Sequence, residues 1–126
     1  MSASTLSIVE RESGDVTTLV LTGQVVLDDG DLLFRKRIHD LVERGRTKVV
    51  VDLGGVNYID SAGVGMIVGK LKTLRERGGD MKLLNLNPRA ESLFGMLKLL
   101  IVFERFEDEA AAVRSFARGA DRPIRP

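Results

Sequence analysis

The stretch that most limits how this chain can fold starts with Val49-Val50-Val51 and ends with Asp60-Ser61-Ala62-Gly63-Val64-Gly65. Three β-branched residues in a row, with Leu53 close behind, leave no polar face for water. Such a segment reads as a strand buried on both sides, which belongs in a mostly parallel sheet flanked by helices. A Gly54-Gly55 break and the apolar pair Tyr58-Ile59 follow, and then the period changes. Val64, Ile67, Val68, Leu71 and Leu74 recur at helical spacing. Ser61 falls at the mouth of this helix, where an N-cap is expected and the first N–H groups lack partners.

The rest of the chain repeats the strand–helix alternation. Leu6 and Ile8 alternate with Ser7 and Val9, Ser13-Gly14-Asp15 is turn chemistry, and Val16 to Thr22 is β-rich. These segments predict a hairpin that ends at Gly23, with its first strand at an edge. Asp28-Asp29-Gly30-Asp31 reads as a loop capping a helix in which Phe34, Ile38, Leu41 and Val42 share a face, closed by Gly45. The helix after Ser61 should stop at Gly78-Gly79. Lys82 to Leu86 is a short strand candidate, and Asn87-Pro88 caps a third helix with apolar Leu93, Phe94 and Leu97. Ile101 to Phe106 is a last strand, and Asp108 caps a helix whose Ala112, Val113 and Phe116 could cover the sheet. The expected fold is a single α/β domain with a mixed, mostly parallel sheet of about five strands, about four helices and an opening hairpin. Its boundary is expected at residues 1–117, with 118–126 a disordered basic tail.

Totals narrow the function. A chain of 126 residues can bury about two-thirds of its unfolded surface without disulfides. The absence of cysteine excludes thiolate nucleophiles and thiolate-bound metals. Nineteen basic against eighteen acidic residues give a net charge of +1, which argues against a polyanion binder and hence against direct nucleic-acid binding. No apolar run approaches a membrane span. The N-terminus has no basic segment leading into an apolar one, so a cytoplasmic location is expected.

Among groups that could carry chemistry, the Ser61 hydroxyl stands out. It follows Asp60 at the carboxyl end of a strand–loop unit, where open α/β sheets place their sites. Gly63 and Gly65 leave room around it, and a phosphoryl group there would meet the positive end of a helix dipole. A serine hydrolase would need a base; the only histidine, His39, lies inside the first helix, and the Gly-x-Ser-x-Gly elbow is missing. Gly63-x-Gly65 has neither the Lys-Ser/Thr of a P-loop nor the third glycine of a dinucleotide fingerprint. Asp28, Asp29 and Asp31 lack calcium-loop spacing, so neither metal nor cofactor is expected. Lys70, Lys72, Arg75 and Arg77 read as a solvated helix face that could also help a partner dock.

Val49-Val50-Val51-Asp52-Leu53 followed by Val56-Asn57-Tyr58-Ile59-Asp60-Ser61-Ala62-Gly63-Val64-Gly65 resembles the signature of the STAS-domain anti-sigma-factor antagonists. The resemblance extends over nearly the whole chain, through Gly78-Gly79-Asp80-Met81 and Asn87-Pro88 to Phe116. It implies a single STAS-type domain acting as a non-catalytic switch, a monomer or weak homodimer. Its partners would be an anti-sigma factor that is also a serine kinase, and a metal-dependent serine phosphatase. By the same resemblance Ser61 is the phosphoacceptor, and Asp60, Ser61, Ala62, Gly63, Val64, Gly65 and Asp28 face the partner. Ala62 stands where many members have a second hydroxyl residue. The acidic-x-acidic pattern usual after the glycine of the second strand is replaced by Gln24-Val25-Val26. Relatives with this domain also serve as stressosome scaffolds and as accessory subunits of lipid-transport ABC systems.

Overall fold

The computed structural model describes residues 6–26 and 29–120, the side chains at 29–31 and 118–120 excepted. The elements follow in the order β1 (Leu6–Ser13), β2 (Val16–Val25), α1 (Asp29–Glu43), β3 (Lys48–Ile59), α2 (Ser61–Glu76), β4 (Asp80–Leu84), α3 (Pro88–Met96), β5 (Arg105–Phe106) and α4 (Glu109–Ala120). The sheet keeps chain order, β1-β2-β3-β4-β5, with β1 antiparallel to β2 and every other pair parallel. The hairpin, the edge position of β1 and the mostly parallel sheet are therefore as the sequence indicates.

Layering follows from the alternation along β3. Val49, Val51 and Leu53 point into a core built with Phe34, Ile38 and Leu41 of α1 and Val64, Ile67, Leu71 and Leu74 of α2. Val50 points the other way, into a smaller cluster with Val16, Leu84, Ala112 and Phe116. Val49, Val50 and Val51 are each wholly inaccessible to solvent, which is what an all-apolar run demands. At roughly 25 cal/mol per Å² of apolar surface, each buried valine contributes on the order of 1.5–3 kcal/mol to this three-layer packing.

Several boundaries differ from the sequence reading. Gly23 and Gly54-Gly55 do not end their strands: β2 runs on to Val25 and β3 to Ile59, with Gln24 opposite Tyr58 and Val25 opposite Ile59. Two register shifts, at Val20/Thr22 and Gly23/Gln24, absorb the extra residues of β3. The extra residues fall at Leu53-Gly54 and at Asn57, while Gly23 and Gly55 keep partners in the ladder; Gly54 N–H turns back to donate to Asp52 Oδ1 at 2.9 Å. Asp29 to Asp31 form the first turn of α1 instead of a loop, and Asp28 lies outside the described residues. Strand β4 ends at Leu84, because Asn85 takes a left-handed φ of 59°. In α3 the inward face is Ala90 and Phe94, whereas Leu97 is the exposed C-cap.

The largest departure is the run from Ile101. Only Arg105 and Phe106 pair with β4. Phe103 packs edge-to-face on Phe94, with centroids 5.8 Å apart, while Ile101 is 91% exposed. An apolar run here pins a loop to the core without joining the ladder. Helix α4 continues to Ala120, past the expected domain boundary, and residues 121–126 lie outside the described ones.

Helix α4 is clipped to the sheet's edge strand through Arg11, whose Nε donates to Glu109 Oε2 at 3.3 Å and whose Nη2 also reaches that carboxylate. The guanidinium, helped by the Thr18 hydroxyl, holds the Glu109 carboxyl below its ordinary value against the opposing effect of burial. A lowered folded-state value means the stabilisation is fully present above the ordinary carboxylate range and is lost as pH falls through the folded value. Glu109→Gln should therefore lower the urea midpoint at neutral pH and leave a shallower decline of that midpoint on acidification than the parent shows.

Candidate functional site

The end of β2 and the start of α2 meet at the carboxyl edge of the sheet. Asp60 is extended, with φ −108° and ψ 178°, and its N–H donates to the Val25 carbonyl at 3.4 Å. Its Oδ1 accepts from Gly63 N–H at 2.8 Å, and its carbonyl accepts the first helical bond from Val64 N–H at 3.0 Å. Asp60, and not Ser61, is therefore the N-cap. Either residue type can cap, but only Asp60 has the non-helical backbone the role requires.

This displacement by one residue matters chemically. Ser61 becomes the first helical residue, relieved of capping, and it is exposed. Among the described residues no side chain or backbone group engages its hydroxyl. Ser61 follows the Asp60 cap directly, at the positive end of the α2 dipole.

The other expected site residues divide in two. Ala62 and Gly65 are exposed with Ser61, and Asp60 is half-buried. Gly63 and Val64 are buried, so they seat the helix and offer no surface of their own. A Cβ at Gly63 would lie 2.2 Å from the Val25 carbonyl oxygen, which only a residue without a side chain permits. A Cβ at Gly65 would meet nothing within 4 Å. The fold thus needs the first glycine and not the second. Asp28, expected at the same surface, lies outside the described residues.

Two neighbours were invisible in the sequence. Asn87 Nδ2 donates to the Val56 carbonyl at 2.8 Å while its Oδ1 accepts from Ala90 N–H at 2.8 Å, so α3 starts against the end of β3. That places the Arg89 guanidinium 4.8 Å from the centre of the exposed Tyr58 ring, across the ladder from Gln24. The two residues are 31 apart in the chain, and only the Asn87-Pro88 cap hinted at where α3 begins. Gln24, Tyr58 and Arg89 are thus exposed together where β2 and β3 end and α3 begins.

His39 does not join the site. It is exposed on α1, with Nε2 2.9 Å from Glu43 Oε1 one turn along its own helix. Lys72 is exposed on α2, Lys70 is half-buried and lines a groove against α1 together with the C-cap Arg77, and Arg75 is engaged by Asp80 and the Val102 carbonyl.

Comparison with known proteins is consistent throughout. The STAS domain family model matches residues 7–112. The chain is 36% identical over 91 residues to the anti-sigma-B factor antagonist of Bacillus subtilis, covering 72% of this chain and 81% of that one. It is 26% identical over 109 residues to the anti-sigma F factor antagonist of Paenibacillus polymyxa, covering 86% and 92%. Among solved structures, the unphosphorylated anti-sigma factor antagonist SpoIIAA superposes with a TM-score of 0.75 at 21% identity, over 90% of this chain and 97% of that one. The phosphorylated form of SpoIIAA, a Bacillus cell fate determinant, gives 0.70 at 20%, over 87% and 99%. These two likenesses bear on the fold.

Three substitutions separate the roles at the helix start. Asp60→Ala should cost about 1 kcal/mol of stability through the lost cap. Gly63→Ala should cost about 1–3 kcal/mol because the Val25 carbonyl has to move. Gly65→Ala should be neutral or stabilising by about 0.5–1 kcal/mol, as for any exposed mid-helix glycine. Urea denaturation of the three variants checks the order.

Proposed function

The chain belongs to the STAS domain family, and from that premise we propose that it is an anti-sigma-factor antagonist switched by phosphorylation of Ser61. In this reading it is a non-catalytic cytoplasmic regulator. With its hydroxyl free it binds an anti-sigma factor that is also a serine kinase, so that a sigma factor is released. The single observation that carries the reading is Ser61 itself: exposed, uncommitted and held at the first position of α2 by the Asp60 cap.

The transfer is simple to write. Ser61 Oγ attacks the γ-phosphorus of ATP bound to the kinase, and the bond to the β,γ-bridging oxygen breaks. ADP leaves, and the hydroxyl proton passes to a base that the kinase supplies. Water, activated by the metal ions of a serine phosphatase, later hydrolyses the ester and restores the alcohol. This chain supplies only the acceptor and its presentation. Ala62 has no hydroxyl, so the phosphoryl group has one address at the helix start.

The new group carries about −1.5 to −2 charges. In the free chain the α2 dipole offsets about 0.3–1 kcal/mol of its cost, partly cancelled by the neighbouring Asp60. Pressed against a partner, the same charge must be desolvated and forced close to Asp60, which costs several kcal/mol. A loss of about 3 kcal/mol is about a hundredfold in affinity. The interface effect dominates, so release requires no rearrangement of the fold.

One observation favours a second reading, a scaffold or ABC-transporter accessory subunit that is never phosphorylated. The acidic-x-acidic pattern that antagonists carry after the glycine of the second strand is missing, with Gln24 and Val26 in its place.

Intact-mass measurement after incubation with ATP and a partner kinase should show one added phosphoryl group, absent in Ser61→Ala. Ser61→Asp should fold normally and bind the kinase about a hundredfold more weakly, while Ser61→Ala stays bound in the presence of ATP. Binding of Ser61→Asp at parental affinity defeats the switch, and capture of a transporter ATPase with no mass shift favours the second reading.

A further inference from the structure

Of the two edges of the sheet only one is long. Strand β5 contributes two residues, Arg105–Phe106, whereas β1 runs for eight, Leu6–Ser13. All eight pair with β2 in one unbroken register, so the backbone groups on the other side of β1 stand in an equally regular row. From Ser7 to Glu12 those outward groups take no partner among the described residues.

Exposed edges are commonly defended by lysine, proline, a bulge or an unpaired charge. The sequence LSIVERES has neither lysine nor proline, and its ladder has no bulge. Its three charges are engaged within the chain. Arg37 and Arg44 hold Glu10 at 3.1 and 3.4 Å, Arg44 and Arg46 approach Glu12 at 3.9 and 3.8 Å, and Glu109 pairs with Arg11. The middle of the strand is left with Val9, which is 58% exposed. It lies opposite the half-buried Val20, on the sheet face that α4 packs against but outside the cluster α4 covers. The edge therefore carries free hydrogen-bonding groups, an apolar centre and no charge left to repel a visitor.

We propose that β1 receives β1 of a second copy of this chain, antiparallel about a two-fold axis at Val9, joining two five-stranded sheets into one. Charge selects both the occupant and the register. Centred on Val9, the joint sets Val9 against itself, Ser7 against Arg11 and Ile8 against Glu10, with no like charges opposed. The two Val9–Val20 pairs then meet as one row of four valines across the open face. Centred on Glu10, the joint would oppose two glutamates; centred on Arg11, it would oppose two arginines and set Glu10 against Glu12. A parallel copy in register would set every charge against its like. Glu10, the one charge brought against an apolar side chain, arrives already held by Arg37 and Arg44. A single strand-to-strand joint buries less than the ~1,200 Å² of a standard interface, so the dimer is a weak, isologous one. The axis lies two strands away from β3 and the start of α2, so both copies of Ser61 stay open, and the dimer does not depend on phosphorylation of that hydroxyl.

Sedimentation equilibrium of the full chain from about 10 μM to 1 mM should show exchange between monomer and dimer. Val9→Lys sets two ammonium groups face to face at the axis and should weaken the dimer at least about tenfold. The same variant should keep the melting temperature within about 3 °C of the parent, because residue 9 is exposed in the single chain. The chain has no cysteine, so Val9→Cys gives one thiol per copy, which a short bismaleimide should join across the axis. Ser7→Cys, four residues out of step with itself in this register, and Ile101→Cys, 91% exposed on a distant loop, should be joined much more slowly. A monomer at 1 mM, a dimer indifferent to Val9→Lys, or joining of Ser7→Cys or Ile101→Cys as fast as Val9→Cys overturns the proposal.

Discussion

Everything at the functional edge depends on how closely α2 can approach the last residue of β2. The Val25 carbonyl accepts from Asp60 N–H, and the bare Cα of Gly63 rests against the same carbonyl. With the backbone pinned there, the Asp60 carboxylate can close the first turn, and the helix starts one residue earlier than a serine cap would allow. A side chain at residue 63 would push the helix away and loosen that closure. The accessible alcohol is thus a by-product of tight packing, held in place by the buried Val25 and Gly63 and the half-buried Asp60.

The architecture was largely legible because burial leaves a strong imprint. A run such as Val49-Val50-Val51 has one stable environment, and the helical spacing of Phe34, Ile38 and Leu41 has one inward face. Errors gathered where apolarity and hydrogen bonding part company. Ile101 to Phe106 reads as a strand, yet its first part packs as a loop because only Arg105 and Phe106 find partners in β4. Glycine misled in the opposite direction: Gly23 and Gly54-Gly55 read as breaks, but the β2–β3 ladder runs through them, with Gly23 and Gly55 paired. At the site, sequence points to Ser61 as the cap, whereas the cap lies one residue earlier, at Asp60. Sequence shows that Asp and Ser both suit a cap; only the extended torsions of residue 60 decide between them. The Tyr58–Arg89 pair could not be read at all, since it depends on where α3 docks.

An electrostatic switch suits this scaffold. The helix dipole and the Asp60 carboxylate act in opposite senses on any anion at Ser61, so the proposed phosphorylation would leave the free chain nearly unaffected. Sensitivity then resides in the complex, where water is excluded and the same charge has nowhere to spread. A rigid sheet with a preformed edge transmits nothing and needs to transmit nothing.

The order of strands in space repeats their order along the chain. Each strand as it leaves the ribosome finds its neighbour already laid down, starting from a local hairpin with a two-residue turn at Gly14-Asp15. No strand has to wait for a later one to be inserted beside it, so few loops must be closed over long distances and relative contact order stays modest. Such a sheet can grow from its first edge during synthesis, keeping the aggregation-prone run at residues 49–51 unpaired for only a short time.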